Sequence, residues 1–219
     1  MGVILDSKLT FSKHVDSIVK RGNRALGLLM RTFQTGLDKG KFRTGAVLVA
    51  YFANVRSTLE YGSVIWAGAA KTHTARVDRM QHKFLMWLLS HTSSSYTTSL
   101  SYQNLLQHFR IPSLNSRRTQ HDLVFLRNIF RNQIDSTQLL SHFSLHTPAR
   151  STRAKQLFSE PRARVATVQA GMFCRLPRAA NAFLNSTNPV DFFMTRCSLL
   201  SIQPFSTCVV CDRRYCTIF

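Results

Sequence analysis

Apolar residues recur at intervals of three and four along the first part of this chain, a pattern typical of a helix with one buried face. At about 100° per residue, one stripe collects Val15, Ile18, Val19, Ala25, Leu26, Leu29, Met30 and Phe33. The opposite side collects Lys13, Lys20, Arg21, Arg24 and Arg31, and only Leu28 fits neither group. We predict an amphipathic helix with Ser12 as its N-cap.

The same spacing predicts further helices. One runs from Ala46 to Leu59 and is broken by Gly62, and another begins at Thr74. Ser101 is placed to cap a short helix that stops before Pro112, because proline disfavours helical geometry in the residue that precedes it. A longer helix begins at Leu114, with apolar residues spread widely enough to contact neighbours on two sides, and Ser136 is placed to cap a short one.

The two ends of the chain differ from this helical middle. The opening "GVILD" predicts a short buried β-strand. Residues 148–165 are basic and poor in apolar residues, which predicts a linker, and residues 166–203 predict one or two short helices. The predicted fold is therefore mainly α and multi-helical, with a short N-terminal β-strand, a helical domain over 12–147 and an irregular cysteine-containing tail over 204–219.

Charge narrows the class of partner. The chain has 29 Lys and Arg against 10 Asp and Glu, a formal charge of +19. A field of one sign favours a polyanion, and nucleic acid binds such a protein through its phosphates without regard to base sequence. An anionic membrane surface is the rival partner, but the cations are spread along the whole chain and do not gather beside one anchor. The plain alternative for the first helix is a solvated cationic face.

Targeting signals are missing from the sequence. No apolar run approaches the about 20 residues of a membrane span, and no cationic segment precedes an apolar one at the start, as a secretory signal requires. Five cysteines, three of them close together, do not form a disulfide framework. We therefore expect an intracellular protein, in the nucleus or cytoplasm, that is not secreted.

Catalytic patterns are also missing. The ten carboxylates lie far apart, with no two inside one helical turn, whereas chemistry with two divalent metals needs them clustered. No glycine-rich phosphate loop and no recognised nucleophile motif is present. The tail "CVVCDRRYC" offers Cys208, Cys211 and Cys216 as candidate zinc ligands, with C-x2-C spacing between the first two, but a fourth ligand is not evident.

Five segments together carry a resemblance. They are "GVILDSKLTFSKHV", "STLEYGSVIW", "RVDRMQHKFLMWLL", "LLQHFRIPSLNSRR" and "FLRNIFRNQIDSTQLL". In this order they resemble the region that follows the catalytic palm in reverse transcriptases of non-LTR retrotransposons, the jockey-like and related elements of arthropods. The similarity extends over residues 2–200.

The resemblance implies roles for several residues. Residues 1–11 would be the strand remnant that ends the palm, and 12–147 a thumb-like domain that holds a duplex by its backbone. The implied nucleic-acid contacts are Lys20, Arg21, Arg24 and Arg31, together with Arg117 and Arg118, which match paired arginines of the family. The palm, with its paired aspartates and Mg²⁺, would precede Met1, so this chain alone would be no enzyme.

Two interpretations follow. The chain is either the C-terminal fragment of an RNA-directed DNA polymerase or a freestanding basic helical module that binds RNA or DNA without enzymatic activity. An upstream in-frame segment with paired aspartates on a hairpin would favour the fragment.

Overall fold

The computed structural model describes residues 2–35, 44–92, 101–147, 156–186 and 192. These residues contain ten α-helices, one π-helical turn and no strand, which confirms the prediction of a mainly α, multi-helix fold. The elements are α1 (Ser12–Thr35), α2 (Thr44–Tyr51), the π turn (Phe52–Arg56), α3 (Ser57–Glu60), α4 (Ser63–Trp66), α5 (Lys71–Thr92), α6 (Tyr102–Phe109), α7 (Leu114–Phe130), α8 (Thr137–Ser141), α9 (Ala166–Ala170) and α10 (Met172–Ser186). None of these helices is long and apolar enough to cross a membrane.

The helices form two compact units. The first unit comprises the described residues of Met1–Tyr61 and Ala70–Leu114, and the second those of Gly62–Ala69 and Asn115–Pro204. These bounds differ from those of the predicted domains, whose division at residues 147 and 165 stays a prediction.

Helix α1 is the longest element of the first unit and packs along one side only. It contacts α2, the π turn, α3 and α5. Val15, Ile18 and Leu26 are fully buried in these contacts, whereas Leu28, the residue that the stripe did not accommodate, is 69% exposed. The buried face thus follows the predicted apolar stripe, and the opposite face is left to the cations.

Helices α2 and α3 continue one another through the π turn, because the residues at both junctions keep right-handed helical geometry. This confirms the helix predicted from Ala46 to Leu59. It ends at Glu60, two residues before Gly62, whose φ of 61° lies in the left-handed region that glycine adopts without steric cost. The Tyr51 ring stacks on Phe84 of α5, with 3.9 Å between centroids and nearly parallel planes.

Helix α5 begins at Lys71, three residues before the predicted start, and joins α6 through a buried glutamine. Gln81 donates to the carbonyl oxygen of Pro112 at 3.1 Å, and its own oxygen accepts from the Tyr102 hydroxyl at 2.7 Å. Ser101 occupies the N-cap position of α6, but its side chain makes no capping bond, contrary to the prediction. The helix ends where Arg110 takes a left-handed conformation, two residues before Pro112.

The strand predicted over "GVILD" is not formed in the described residues, and this prediction is wrong. A strand needs a neighbour to complete its hydrogen bonds, and none lies beside this segment in the first unit. Instead, the backbone N–H of Ile4 donates to His14 Nδ1 at 3.3 Å. Ile4 and Leu5 are exposed, so the segment is not buried as predicted.

The start of α1 is capped by Asp6 and not by Ser12, which is already helical. The Asp6 carboxylate accepts from the Thr10 hydroxyl at 2.7 Å and from the backbone N–H groups of Thr10 and Phe11 at 3.0 and 2.8 Å. A negative charge is also favourable at the positive end of the helix dipole. These bonds hold Leu9 and Phe11 at positive φ, a backbone conformation that residues other than glycine rarely adopt.

We expect the Asp6 carboxyl group to have an unusually low pKa. The hydrogen bond from the Thr10 hydroxyl, followed by that from the Thr10 backbone, lowers the pKa of Asp6 from 3.8 to about 2. Because the folded pKa is lowered, the stabilisation from this carboxylate is complete above pH 3.8 and is lost as the pH falls through about 2. NMR titration of Asp6 should give that midpoint, and Thr10→Val should raise it. A wild-type midpoint at 3.8 would contradict the capping role.

The second unit has its own apolar core. It is built from α7, α10 and the segments around an isolated antiparallel bridge between Leu145 and Phe158. The fully or nearly fully buried members are Leu123, Leu126, Ile129, Phe143, Phe158, Leu176, Ala180, Phe183 and Phe192. The helix predicted from Leu114 is thus confirmed as a central element with buried residues on a broad face. Ser136 caps α8 as predicted, accepting from the backbone N–H of Leu139 at 3.3 Å.

Part of the predicted basic linker packs in this unit. Phe158 is 1% exposed, and Asn181 of α10 hydrogen-bonds its backbone N–H and carbonyl groups at 3.1 and 2.9 Å. Phe158 is therefore packed into the unit, whereas most of the other residues between 156 and 163 are exposed. This packing depends on Asn181, because its side-chain amide bonds to the backbone N–H and carbonyl groups of Phe158. The composition of the segment gives no sign of that contact.

Candidate nucleic-acid interface

A row of cations follows the solvent side of α1. Lys13, Lys20, Arg24 and Arg31 are all exposed. Their spacings of 7, 4 and 7 residues bring them within about 20° of one line at 3.6 residues per turn. That line lies opposite the buried face, and with a rise of 1.5 Å per residue it is about 27 Å long. We call these four residues the α1 row.

Arg21 does not belong to the α1 row. Its side chain is half-buried, and its guanidinium donates to the Ser17 hydroxyl at 3.1 Å and more weakly to the Ser17 carbonyl at 3.4 Å. It lies about 80° around the helix from the row. The other three nucleic-acid contacts predicted on α1 lie in the row with Lys13: Lys20, Arg24 and Arg31.

The single carboxylate of α1 is bound by a cation of the neighbouring helix. Asp16 accepts from Arg76 of α5 at 2.5 Å, an exposed ion pair that joins the two helices. Gly22 of α1 lies against Met80 of α5, which is a second contact between these helices. Because Asp16 is already paired, its charge weakens the field of the row less than an unpaired carboxylate would.

Helix α5 adds cations beside this ion pair. Arg79 and Lys83 are exposed on the side of α5 that carries Arg76, opposite its buried residues. The first unit therefore presents exposed cations from two helices that pack on one another.

The paired arginines of α7, in the second unit, are placed differently from one another. Arg117 is half-buried, and its guanidinium lies 3.3 Å from His121 Nε2. Since guanidinium can only donate, Nε2 accepts, and the proton sits on Nδ1, 3.1 Å from the Ser63 hydroxyl. An imidazole in this state donates to the serine and does not take its proton, so this pair supports the fold more readily than nucleophilic chemistry.

Arg118 is buried, with 4% of its surface exposed. Its guanidinium lies 5.8 Å from the centre of the Trp66 ring, within cation–π range. A phosphate in solvent does not reach a side chain in this position, so the predicted role of Arg118 as a nucleic-acid contact does not fit the structure. Adjacent helical residues point about 100° apart, which explains why two neighbouring arginines differ so much in exposure.

A buried ion pair lies close by in the same unit. The Arg175 guanidinium donates to both oxygens of Asp122, at 2.7 and 3.1 Å, and also to the carbonyl oxygens of Val64 and Ala170. Burial raises the pKa of Asp122, and the hydrogen bonds from Arg175 oppose that rise. Gly68 closes this site, because a Cβ there would lie 2.2 Å from the Ala170 oxygen. The bonds of Arg175 join α4, α7, α9 and α10.

The candidate zinc ligands Cys208, Cys211 and Cys216 lie outside the described residues. Within the described ranges, no three His, Cys, Asp or Glu side chains come close enough to hold a metal ion. Cys174 is the one cysteine in those ranges, and it is buried in α10. The zinc prediction therefore stays a prediction.

Comparisons with known proteins add no relative to this description. No protein-family model, no curated protein and no solved structure matches the chain.

Proposed function

We propose that this chain binds nucleic acid through phosphate contacts from the α1 row. We propose further that it is the post-palm, thumb-like region of an RNA-directed DNA polymerase from a non-LTR retrotransposon. The observation that carries the first proposal is the alignment of Lys13, Lys20, Arg24 and Arg31 on one exposed line of α1. The second rests on the five sequence segments given above. Both place the protein inside the cell, in the nucleus or cytoplasm.

The α1 row is better suited to contact the sugar-phosphate backbone of a polynucleotide than its bases. Single-strand binders stack bases on exposed aromatic rings. Among the Phe, Tyr and Trp residues that the structure describes, only Tyr61 is largely exposed, at 43%, and it lies on neither α1 nor α5. Phosphate contacts position a polynucleotide without reading its sequence, so we expect sequence-nonspecific binding of RNA or DNA.

A membrane surface is the weaker alternative. A helix that lies on lipid needs an exposed apolar face to insert. The apolar face of α1 is occupied by α5 and the helix pair around the π turn, with Val15, Ile18 and Leu26 buried. The row could meet anionic headgroups, but the apolar contribution to membrane binding would be missing.

The proposal assigns no polymerase chemistry to this chain. Its ten carboxylates lie far apart in sequence, and polymerases need them paired to hold two metal ions. In the polymerase, Mg²⁺ would belong to the palm. A freestanding basic helical module that binds RNA or DNA remains the second candidate, since the α1 row by itself supports it equally.

A salt series tests the binding. We expect affinity for mixed-sequence duplex to fall steeply with salt, with a slope of log K against log salt of about −0.9 per phosphate contact. For the four residues of the α1 row this amounts to about −3.6. Fluorescence anisotropy with duplexes of two unrelated sequences measures it, and anionic vesicles serve as the comparison. A flat salt response, or tighter binding to vesicles than to duplex, would overturn the proposal.

A further inference from the structure

A polar cleft of about 330 Å³ opens in the second unit. Its wall is formed by the bridge segment around Phe158, the residues that follow it, α9 and α10. Four charged or ionisable side chains line it: His146, Glu160, Arg162 and Arg178. A cleft of this volume lies at the small end of the range for small-molecule sites.

The wall of this cleft is fixed by hydrogen bonds. The Asn181 side chain donates to Glu160 Oε1 and to the Phe158 carbonyl oxygen, both at 2.9 Å. Gln169, which also lines the cleft, accepts from the backbone N–H of Ala163 at 2.7 Å. The backbone N–H of Ser159 donates to Ser144 across the bridge at 2.9 Å. The charged groups are thus carried by a segment that is anchored on both sides.

The charges in the cleft favour an anion that also carries a hydroxyl group. Arg162 and Arg178 supply two guanidinium groups, which match the geometry of a phosphate. Glu160 Oε2 lies 3.8 Å from Arg178 Nε, longer than a hydrogen bond, so this oxygen keeps its capacity to accept. A bare phosphate would meet both the cations and this carboxylate, whereas a phosphate ester with a hydroxyl can satisfy each.

We propose that this cleft binds a phosphomonoester of a hydroxyl-bearing compound, such as a sugar phosphate or a nucleotide. The phosphate contacts Arg162 and Arg178, and a ligand hydroxyl donates to Glu160. The ligand is either a free small molecule or the phosphorylated end of a polynucleotide, because both present the same groups. This site belongs to the second unit and the α1 row to the first, and the site does not depend on the function proposed for the row.

Calorimetric titration of the full chain with ribose 5-phosphate tests the site. We expect saturable binding, tighter than that of inorganic phosphate, because only the ester carries sugar hydroxyl groups that can donate to Glu160 while the phosphate contacts the arginines. Arg162→Ser and Arg178→Ser should each weaken it about tenfold, as expected for loss of a charge-assisted hydrogen bond. Arg164→Ser is the matched control, since Arg164 is an exposed neighbour that does not line the cleft, and it should bind as the wild type does.

The source of the ligand is distinguished by a second titration. If a short oligonucleotide gains affinity from a 5′-phosphate, and loses that gain in the Arg162→Ser and Arg178→Ser variants, the ligand is a polynucleotide end. If only ribose 5-phosphate responds to these variants, the ligand is a free ester. Absence of saturable binding to the wild type, wild-type affinity in the Arg162→Ser and Arg178→Ser variants, or an equal loss in Arg164→Ser would overturn the proposal. Circular dichroism melting confirms that each variant is folded.

Discussion

Replacing Asp122 by asparagine should destabilise the second unit by about 3–5 kcal/mol, the usual cost of breaking a buried ion pair by removing one partner. The substitution keeps the shape of the side chain but leaves the Arg175 charge without its counterion. The Asp122 side chain is 3% exposed and that of Arg175 is 19% exposed, so water does little to compensate. The remaining partners of Arg175 are carbonyl oxygens, which do not neutralise its charge.

Urea unfolding measures this loss. The chain has two tryptophans, Trp66 in the second unit and Trp87 in the first. In a Trp87→Phe background, the emission of the buried Trp66 therefore reports on the second unit alone. We expect a lower midpoint with an unchanged slope, which indicates lost stability without a change in the surface exposed on unfolding.

The matched control is the pair between Glu160 and Arg178 in the same unit. Its atoms are 3.8 Å apart and its side chains are 37% and 47% exposed. Glu160→Gln should therefore change stability by no more than about 1 kcal/mol. If Asp122→Asn proved as mild as Glu160→Gln, the pair between Asp122 and Arg175 would not organise the unit. Replacing Asp122 and Arg175 together by apolar residues should recover part of the loss.

The second large effect concerns binding. Reversing Lys20, Arg24 and Arg31 to glutamate should weaken duplex binding about 100-fold at low salt, at about 1 kcal/mol for each phosphate contact. The magnitude of the salt slope should fall by about one for each contact removed. All three residues lie on the exposed line of α1, so the change leaves its buried face intact.

A second triple variant controls for net charge. Lys71, Arg110 and Arg131 are exposed and lie off the α1 row. Their reversal to glutamate lowers the formal charge from +19 to +13, as does reversal of the row. We expect a much smaller loss of affinity from this control. Equal losses in the two variants would mean that total charge drives binding, and an intact affinity after reversal of the row would end the proposal.

Most of the correct predictions of the fold came from the periodic spacing of apolar residues. The buried face of α1, the exposed Leu28, the helix after Ala46 and the central α7 all follow from apolar spacing, because burial of one face is what stabilises such helices. The π turn was not predicted, since its residues keep an ordinary helical pattern. Neither was the cap by Asp6, because a loop of left-handed residues brings a carboxylate to the helix from six positions before Ser12.

Only part of the candidate site could be predicted from the sequence, because the rest depends on how the helices pack. The α1 row is a property of one helix, so its members could be read from spacing. The burial of Arg118 and the closeness of α5 to α1 depend on contacts between elements distant in sequence. The cleft beside Asn181 depends on such contacts entirely, and no local pattern marks it.

The hydrogen atom that serves as the side chain of Gly68 limits how this unit can vary. The Ala170 oxygen that a methyl group would strike is the one that accepts from Arg175 Nη1 at 3.0 Å. A larger residue would have to displace that carbonyl and would thereby remove a hydrogen bond from Arg175. Glycine at 68, an acid at 122 and an arginine at 175 therefore depend on one another, and replacing any one of them should disturb the contacts of the other two.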